Sequence, residues 1–137
     1  MNDHINLANT VLSGVSIAPI SVTATTTGTG VDFRNGGSEV VAYVSLGVIA
    51  SGSTWTLALE QSKNDNTADG EGAADAYTAI SGATGAIADT DDGTIIKITT
   101  NARSERYVRL VATLTGSGAC LMGVNLMSPR RTAGSPQ

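Results

Sequence analysis

Apolar and polar residues alternate along most of this chain with the period of a β-strand, and Gly, Ser, Asn and Asp interrupt the alternation. The clearest stretch is 53–62, where Trp55, Leu57 and Leu59 point one way and Thr54, Thr56 and Glu60 the other. That is the pattern of a sheet with one buried and one wet face. Residues 39–50 form a longer apolar run, with Val40, Ala42, Val44, Leu46 and Val48 on one face and Val41, Tyr43 and Ile49 on the other. Its β-branched content predicts a strand buried on both faces. The Ser51-Gly52-Ser53 break then predicts an antiparallel hairpin with 53–62. Residues 31–34 alternate ahead of Asn35-Gly36-Gly37, a turn that tolerates positive φ.

Further along, 94–100 predicts a strand after the Asp91-Asp92-Gly93 turn. Another spans 105–115, with Val108, Leu110, Ala112 and Leu114 opposite Tyr107, Arg109, Val111 and Thr113. Gly116-Ser117-Gly118 leads into a last strand over 119–128. Residues 5–12 and 15–24 supply two or three weaker strands, the latter bent at Pro19, whose missing N–H suits a strand end or an edge strand. Residues 62–92, rich in Asp, Gly, Ala, Asn and Thr, read as one long irregular loop. Seven to nine short strands without a helical pattern predict an all-β fold, an antiparallel β-sandwich that is jelly-roll-like. The expected core includes Trp55, Leu57, Leu59, Val108, Leu110 and Leu114. One domain is expected over 1–137, with an N-terminal arm at about 1–12 and a C-terminal tail at about 129–137.

Composition narrows the functional classes. Charged residues are only 15% of the chain and the net charge is −4, which argues against the clustered basic face of a nucleic-acid binder. Cys120 is the single cysteine, so no intramolecular disulfide can form. Its place in the run Ala119-Cys120-Leu121-Met122 predicts a buried, inert thiol. No stretch reaches the ~18–20 apolar residues of a membrane-spanning helix. Met1-Asn2-Asp3-His4 lacks a basic n-region, and polar residues break 5–22, so no secretory signal is expected and the protein should stay soluble in the cytoplasm where it is made.

Candidate chemistry is sparse. His4 is the single histidine, which leaves a nucleophilic triad without a held base and zinc without a ligand set. The Gly-x-Gly pairs at 28–30 and 70–72 lack the third glycine of a dinucleotide fingerprint. Residues 64–71 and 89–93 gather hard oxygen ligands, but without EF-hand spacing. They read as solvated turn formers, with no metal and no cofactor expected. Arg103, Glu105, Arg106 and Arg109 predict ion pairs at the surface or a subunit interface, with a phosphate or polyanion site as the alternative.

Four blocks, taken in order, resemble a known family. Val31-Asp32-Phe33, Asn35-Gly36-Gly37 and the stretch Val40-Val41-Ala42-Tyr43-Val44-Ser45-Leu46-Gly47 are similar to a "VDL-x-GY-x-G-x-x-F-V-V-x-V-G" opening. Thr56-Leu57-Ala58-Leu59-Glu60-Gln61-Ser62 resembles "LKLQESDDG", and Ser104-Glu105-Arg106-Tyr107-Val108-Arg109-Leu110-Val111-Ala112-Thr113-Leu114-Thr115 resembles "KRYLRVVATVTG". Met127-Ser128-Pro129-Arg130 is similar to the close "LGHPR". These belong to small virion proteins encoded in head-gene clusters of tailed bacteriophages, and the resemblance spans about 28–131. Two departures are a longer central loop and Arg34-Asn35 where Gln-Gly is typical.

The resemblance implies a non-enzymatic capsid decoration (cement) protein on the virion surface. Its partners would be the major capsid protein and copies of itself, with neither nucleic acid nor membrane involved. Together with the polar ends of the chain it points to Asp3, His4, Arg130 and Arg131 as contacts to the capsid or a neighbour. Two rival readings are a tail or neck component of the virion and a carbohydrate-binding adhesin, for which Tyr77 would be the exposed loop aromatic.

Overall fold

The computed structural model describes residues 10–63 and 76–131, which form two antiparallel sheets packed face to face. The strands are β1 (Val11–Val22), β2 (Thr26–Thr27), β3 (Val31–Asp32), β4 (Val40–Ile49), β5 (Thr54–Ser62), β6 (Thr78–Ile87), β7 (Ile95–Thr100), β8 (Tyr107–Thr115) and β9 (Cys120–Pro129). One sheet has the order β1-β9-β4-β7. The other has β2-β8-β5-β6, with β3 joining β8 beside β2.

The order has a simple origin. β1 pairs with β9, β2 and β3 with β8, β4 with β7, and β5 with β6. These are the nested rungs of one long folded ribbon. Rolling the ribbon adds the contacts β4–β9 and β5–β8, which close the two sheets over a shared core. The expected β-sandwich is therefore present with jelly-roll strand order. Val40, Ala42, Val44 and Leu46 of β4 and Trp55, Leu57 and Leu59 of β5 are buried between the sheets with Val108, Leu110 and Ala112 of β8. Of the expected core residues, Leu114 alone is half-buried, packed against the edge of the cluster.

Four expectations need correcting. β4 and β5 do not form a hairpin; they lie in different sheets, and the turn at 51–53 carries the chain across the core. Alternation along the two strands is the same for either arrangement, so it could not distinguish them. Nor is β4 buried on both faces. Leu46 pairs with Met122 and Ile49 with Cys120, so an extra residue inverts the faces at that point, and Val48 is 74% exposed while Ile49 is buried. Third, the stretch 62–92 is not one irregular loop, because β6 occupies 78–87. Its sequence is mostly Thr, Ala and Gly, with only Ile80, Ala83 and Ile87 buried, and it is a strand because β5 supplies its ladder. Fourth, Gly36 and Gly37 do not supply positive φ; the turns at Gly52, Gly93 and Gly116 do.

β1 is an edge strand, as Pro19 suggested, and two irregularities shape it. Val15 pairs with Asn125 and Ile17 with Val124, so Ser16 is the extra residue of a bulge. The bulge turns Ser16 and Ile17 inward together, and both are buried. Ser16 Oγ accepts the Leu110 N–H at 3.0 Å and donates to the Thr29 carbonyl at 3.0 Å. It thereby fills the gap that β2 and β3 leave along β8, tying the edge of one sheet to the other. Gly28 completes this join, since its N–H donates to the Leu110 carbonyl and a Cβ there would lie 2.8 Å from that oxygen. Ser16→Ala leaves the Leu110 N–H buried and unpaired and should cost about 1–3 kcal/mol in urea unfolding. Ser21→Ala, on the exposed part of the same strand, should stay within about 0.5 kcal/mol.

Candidate functional site

At one end of the sandwich the β3–β4 loop, the β7–β8 loop and the residues after β9 meet. Arg103 organises the junction. Its Nε donates to the Gly37 carbonyl at 2.9 Å and its Nη2 to the Gly36 carbonyl at 2.8 Å, with further bonds to the carbonyls of Gly37 and Glu105. Its guanidinium lies 6.0 Å above the centroid of Phe33, which is fully buried beneath. Gly36 is required here for close approach, because a Cβ would stand 2.9 Å from Ser128 Oγ and 3.2 Å from the Phe33 carbonyl. Ser128 is itself buried and donates to the Glu39 carbonyl at 2.6 Å.

The other two central arginines are paired. Arg106 holds Asp32 with two bonds, Nε–Oδ1 at 2.9 Å and Nη2–Oδ2 at 2.6 Å, and lies 4.6 Å over the Tyr107 ring. This bidentate pair holds the Asp32 carboxyl below the usual carboxylate range against the opposing effect of burial, helped by the Arg34 N–H donated to Asp32 Oδ1. Arg109 meets Glu60 at 2.7 Å and stacks 3.8 Å from the centroid of Tyr77. Of the four residues expected in ion pairs, Arg106 and Arg109 form them, while Arg103 and Glu105 form none among the described residues. Both pairs are intramolecular, and Tyr77 is half-buried under Arg109 rather than displayed on a loop.

Between the loops lies a cleft of about 280 Å³ lined by Arg34, Arg103, Ser104, Glu105, Arg106 and Arg131. Four guanidinium groups against the carboxylates of Glu105 and Asp32 leave a local charge of +2 in a chain of net charge −4. Arg103 is pulled below its usual value by burial and by the Arg131 charge beside it, yet an arginine remains protonated at neutral pH. The opposite end of the sandwich is acidic. There Asp89 accepts the Gly52 N–H at 2.9 Å, Asp91 the Ala88 N–H at 2.9 Å, and Asp92 the Ile49 N–H at 2.7 Å. These acids, expected as solvated turn formers, buttress the backbone. Among the described residues no group of three or more metal-ligating side chains comes together.

The two outer faces differ in chemistry. On the β1-β9-β4-β7 sheet, Val15, Ile95 and Leu121 are 52%, 64% and 48% exposed. Val11, Val41, Tyr43, Met127 and Pro129 surround a shallow depression with Glu39 at its rim. On the other sheet Thr56 stands between Thr113 and Ala86, with Thr54 and Thr84 also exposed. Exposed Ser45, Lys97 and Asn125 stand among these apolar side chains on the same face.

No family model matches the chain, and no curated protein matches it either.

Of the contact residues expected from sequence, Asp3 and His4 lie outside the described residues, as does the acidic run 64–71. Arg130 and Arg131 are exposed at the end of β9, but their backbone is built into the fold. The Arg130 N–H donates to the Thr10 carbonyl and the Arg131 N–H to the Asn35 carbonyl, each at 2.8 Å. Val11, Leu12 and Pro129, placed in the arms by the sequence reading, are paired in β1 and β9. Arg131 lines the cleft. Arg34, which sequence reasoning did not single out, lines it too, and its only sequence signal was the replacement of the family's Gln-Gly by Arg34-Asn35. Cys120 is fully buried, and that burial raises its thiol pKa and disfavours the reactive thiolate.

Proposed function

We propose that this protein is a non-catalytic structural component of a tailed-bacteriophage virion that binds the outside of the capsid lattice and stabilises it. The observation that carries the reading is the unequal exterior, in which a sheet face bearing exposed apolar side chains and an arginine-rich end stand against a Thr-rich face and an acidic end. A cement protein needs a rigid body with one face matched to a repeating surface and needs no enclosed pocket. Its strength comes from many copies engaging one lattice. The sequence blocks that resemble decoration proteins also support it, since they fall on β3, β4, β5, β8 and the end of β9 in one continuous structural unit. On this reading the partners are the major capsid protein and further copies of this chain. Arg130 and Arg131, with Asp3 and His4 outside the described residues, are contacts at the ends.

The test uses undecorated particles, full-length protein and chains lacking 1–9 or 132–137. These deletions spare the backbone bonds of Thr10, Arg130 and Arg131. Full-length protein should add in copy numbers proportional to the major capsid protein and raise particle resistance to heat, while the chain lacking 1–9, and with it Asp3 and His4, stays folded and adds poorly, and the chain lacking 132–137, which keeps Arg130 and Arg131, adds like the full chain. A few copies per particle, confined to one vertex, would point instead to the neck or tail. Binding to a host glycan with none to particles would establish the adhesin reading.

A further inference from the structure

We infer that the arginine cleft is a carboxylate-binding site that receives an acidic segment of a partner polypeptide, gripped by Arg34 and Arg131. The inference goes beyond the virion reading, because it concerns what the cleft recognises on any partner surface.

The accounting of donors carries it. Arg106 commits its fork to Asp32, and Arg103 commits its N–H groups to the carbonyls of Gly36, Gly37 and Glu105. Those bonds hold the Arg103 charge in place but bring it no carboxylate. The side chains of Arg34 and Arg131 form no ion pair among the described residues, so two exposed forks face a fixed third cation. Like charges lining one cleft repel one another, and an arriving anion relieves that repulsion.

Size and shape select the ligand. The volume of about 280 Å³ lies just below the usual range for small-molecule sites, roughly 300–1,000 Å³, and suits one or two side-chain carboxylates. Planar guanidinium forks match the two oxygens of a carboxylate. A nucleic acid would need a track of cations spaced along its phosphates. Here the cations form no such track: Glu105 interrupts them in the wall, and the chain carries net negative charge.

The experiment measures binding of a fluorescently labelled acetyl-hexaglutamate peptide to full-length protein by anisotropy. Acetyl-hexaglutamine and the oligonucleotide (dT)6 serve as comparison probes. Hexaglutamate should bind, hexaglutamine should not, and Arg34→Gln/Arg131→Gln should weaken binding about tenfold or more. Both substitutions are at exposed positions, and unchanged unfolding curves would show the fold intact. Arg130→Gln removes one positive charge from a residue outside the cleft lining and should change binding less than about twofold. Three results would overturn the inference: hexaglutamate failing to bind, the double variant and Arg130→Gln weakening it equally, or (dT)6 binding more tightly than hexaglutamate through Arg34 and Arg131.

Discussion

Replacing Phe33 with alanine should lower the free energy of unfolding by about 3–5 kcal/mol, the range for truncating a buried aromatic. Phe33 is the chain's single phenylalanine and has no exposed surface. It leaves β3 with its N–H donated to the Arg106 carbonyl at 2.9 Å and its own carbonyl accepting the Gly36 N–H at 2.8 Å. The ring therefore sits where the β3–β4 loop folds back on the β7–β8 loop, with the Arg103 guanidinium above it. Alanine would open a cavity under that junction and remove the apolar floor against which Arg103 is laid. Phe33→Leu, which keeps most of the volume, should lose much less. Urea unfolding of the two variants measures the difference. A loss under about 1 kcal/mol for Phe33→Ala would show that the ring is not a packed part of the core.

Leu110→Ala should cost about 2–5 kcal/mol by the same measurement. β8 is an inner strand, paired with β5 on one side and with β2 and β3 on the other. Leu110 lies opposite Leu59, and both are fully buried. The backbone of Leu110 also holds the Ser16 and Gly28 join, so a collapse of the neighbouring side chains into the cavity would strain bonds that fix the edge of the other sheet. That limits relaxation and favours the upper part of the range. Thr113→Ala, on the outward face of the same strand, should change stability by less than about 0.5 kcal/mol. If the two costs were exchanged, β8 would have slipped by one residue, since a single step moves every side chain to the opposite face.

The strands at 54–62 and 107–115 were legible from the chain alone, together with the faces they bury. Period-two alternation is a local property, and burying one face of such a segment is favourable in any fold that contains it. Trp55, Leu57, Leu59, Val108 and Leu110 followed from that. The sandwich class followed from the number of such segments and the turns between them.

Pairing was another matter. The alternation of β4 and β5 is the same whether they hydrogen-bond to each other or face each other across the core, and only the rolled ribbon separates them. β6 carries little apolar pattern and becomes a strand because β5 needs a partner on that side. The inward turn of Ser16 and the outward turn of Val48 come from single extra residues opposite β9, positions that no residue in either strand announces. The candidate site shows the same division. Arg106 and Arg109 were visible as members of an alternating strand and its approach. The cleft exists because Arg34, Arg103 and Arg131, remote in sequence, are carried to one end by two loops and the residues after β9. Alternation and turn chemistry act over a few residues. Register, bulges and the meeting of distant loops are set by which long-range packing buries the most apolar surface while keeping the buried backbone hydrogen-bonded.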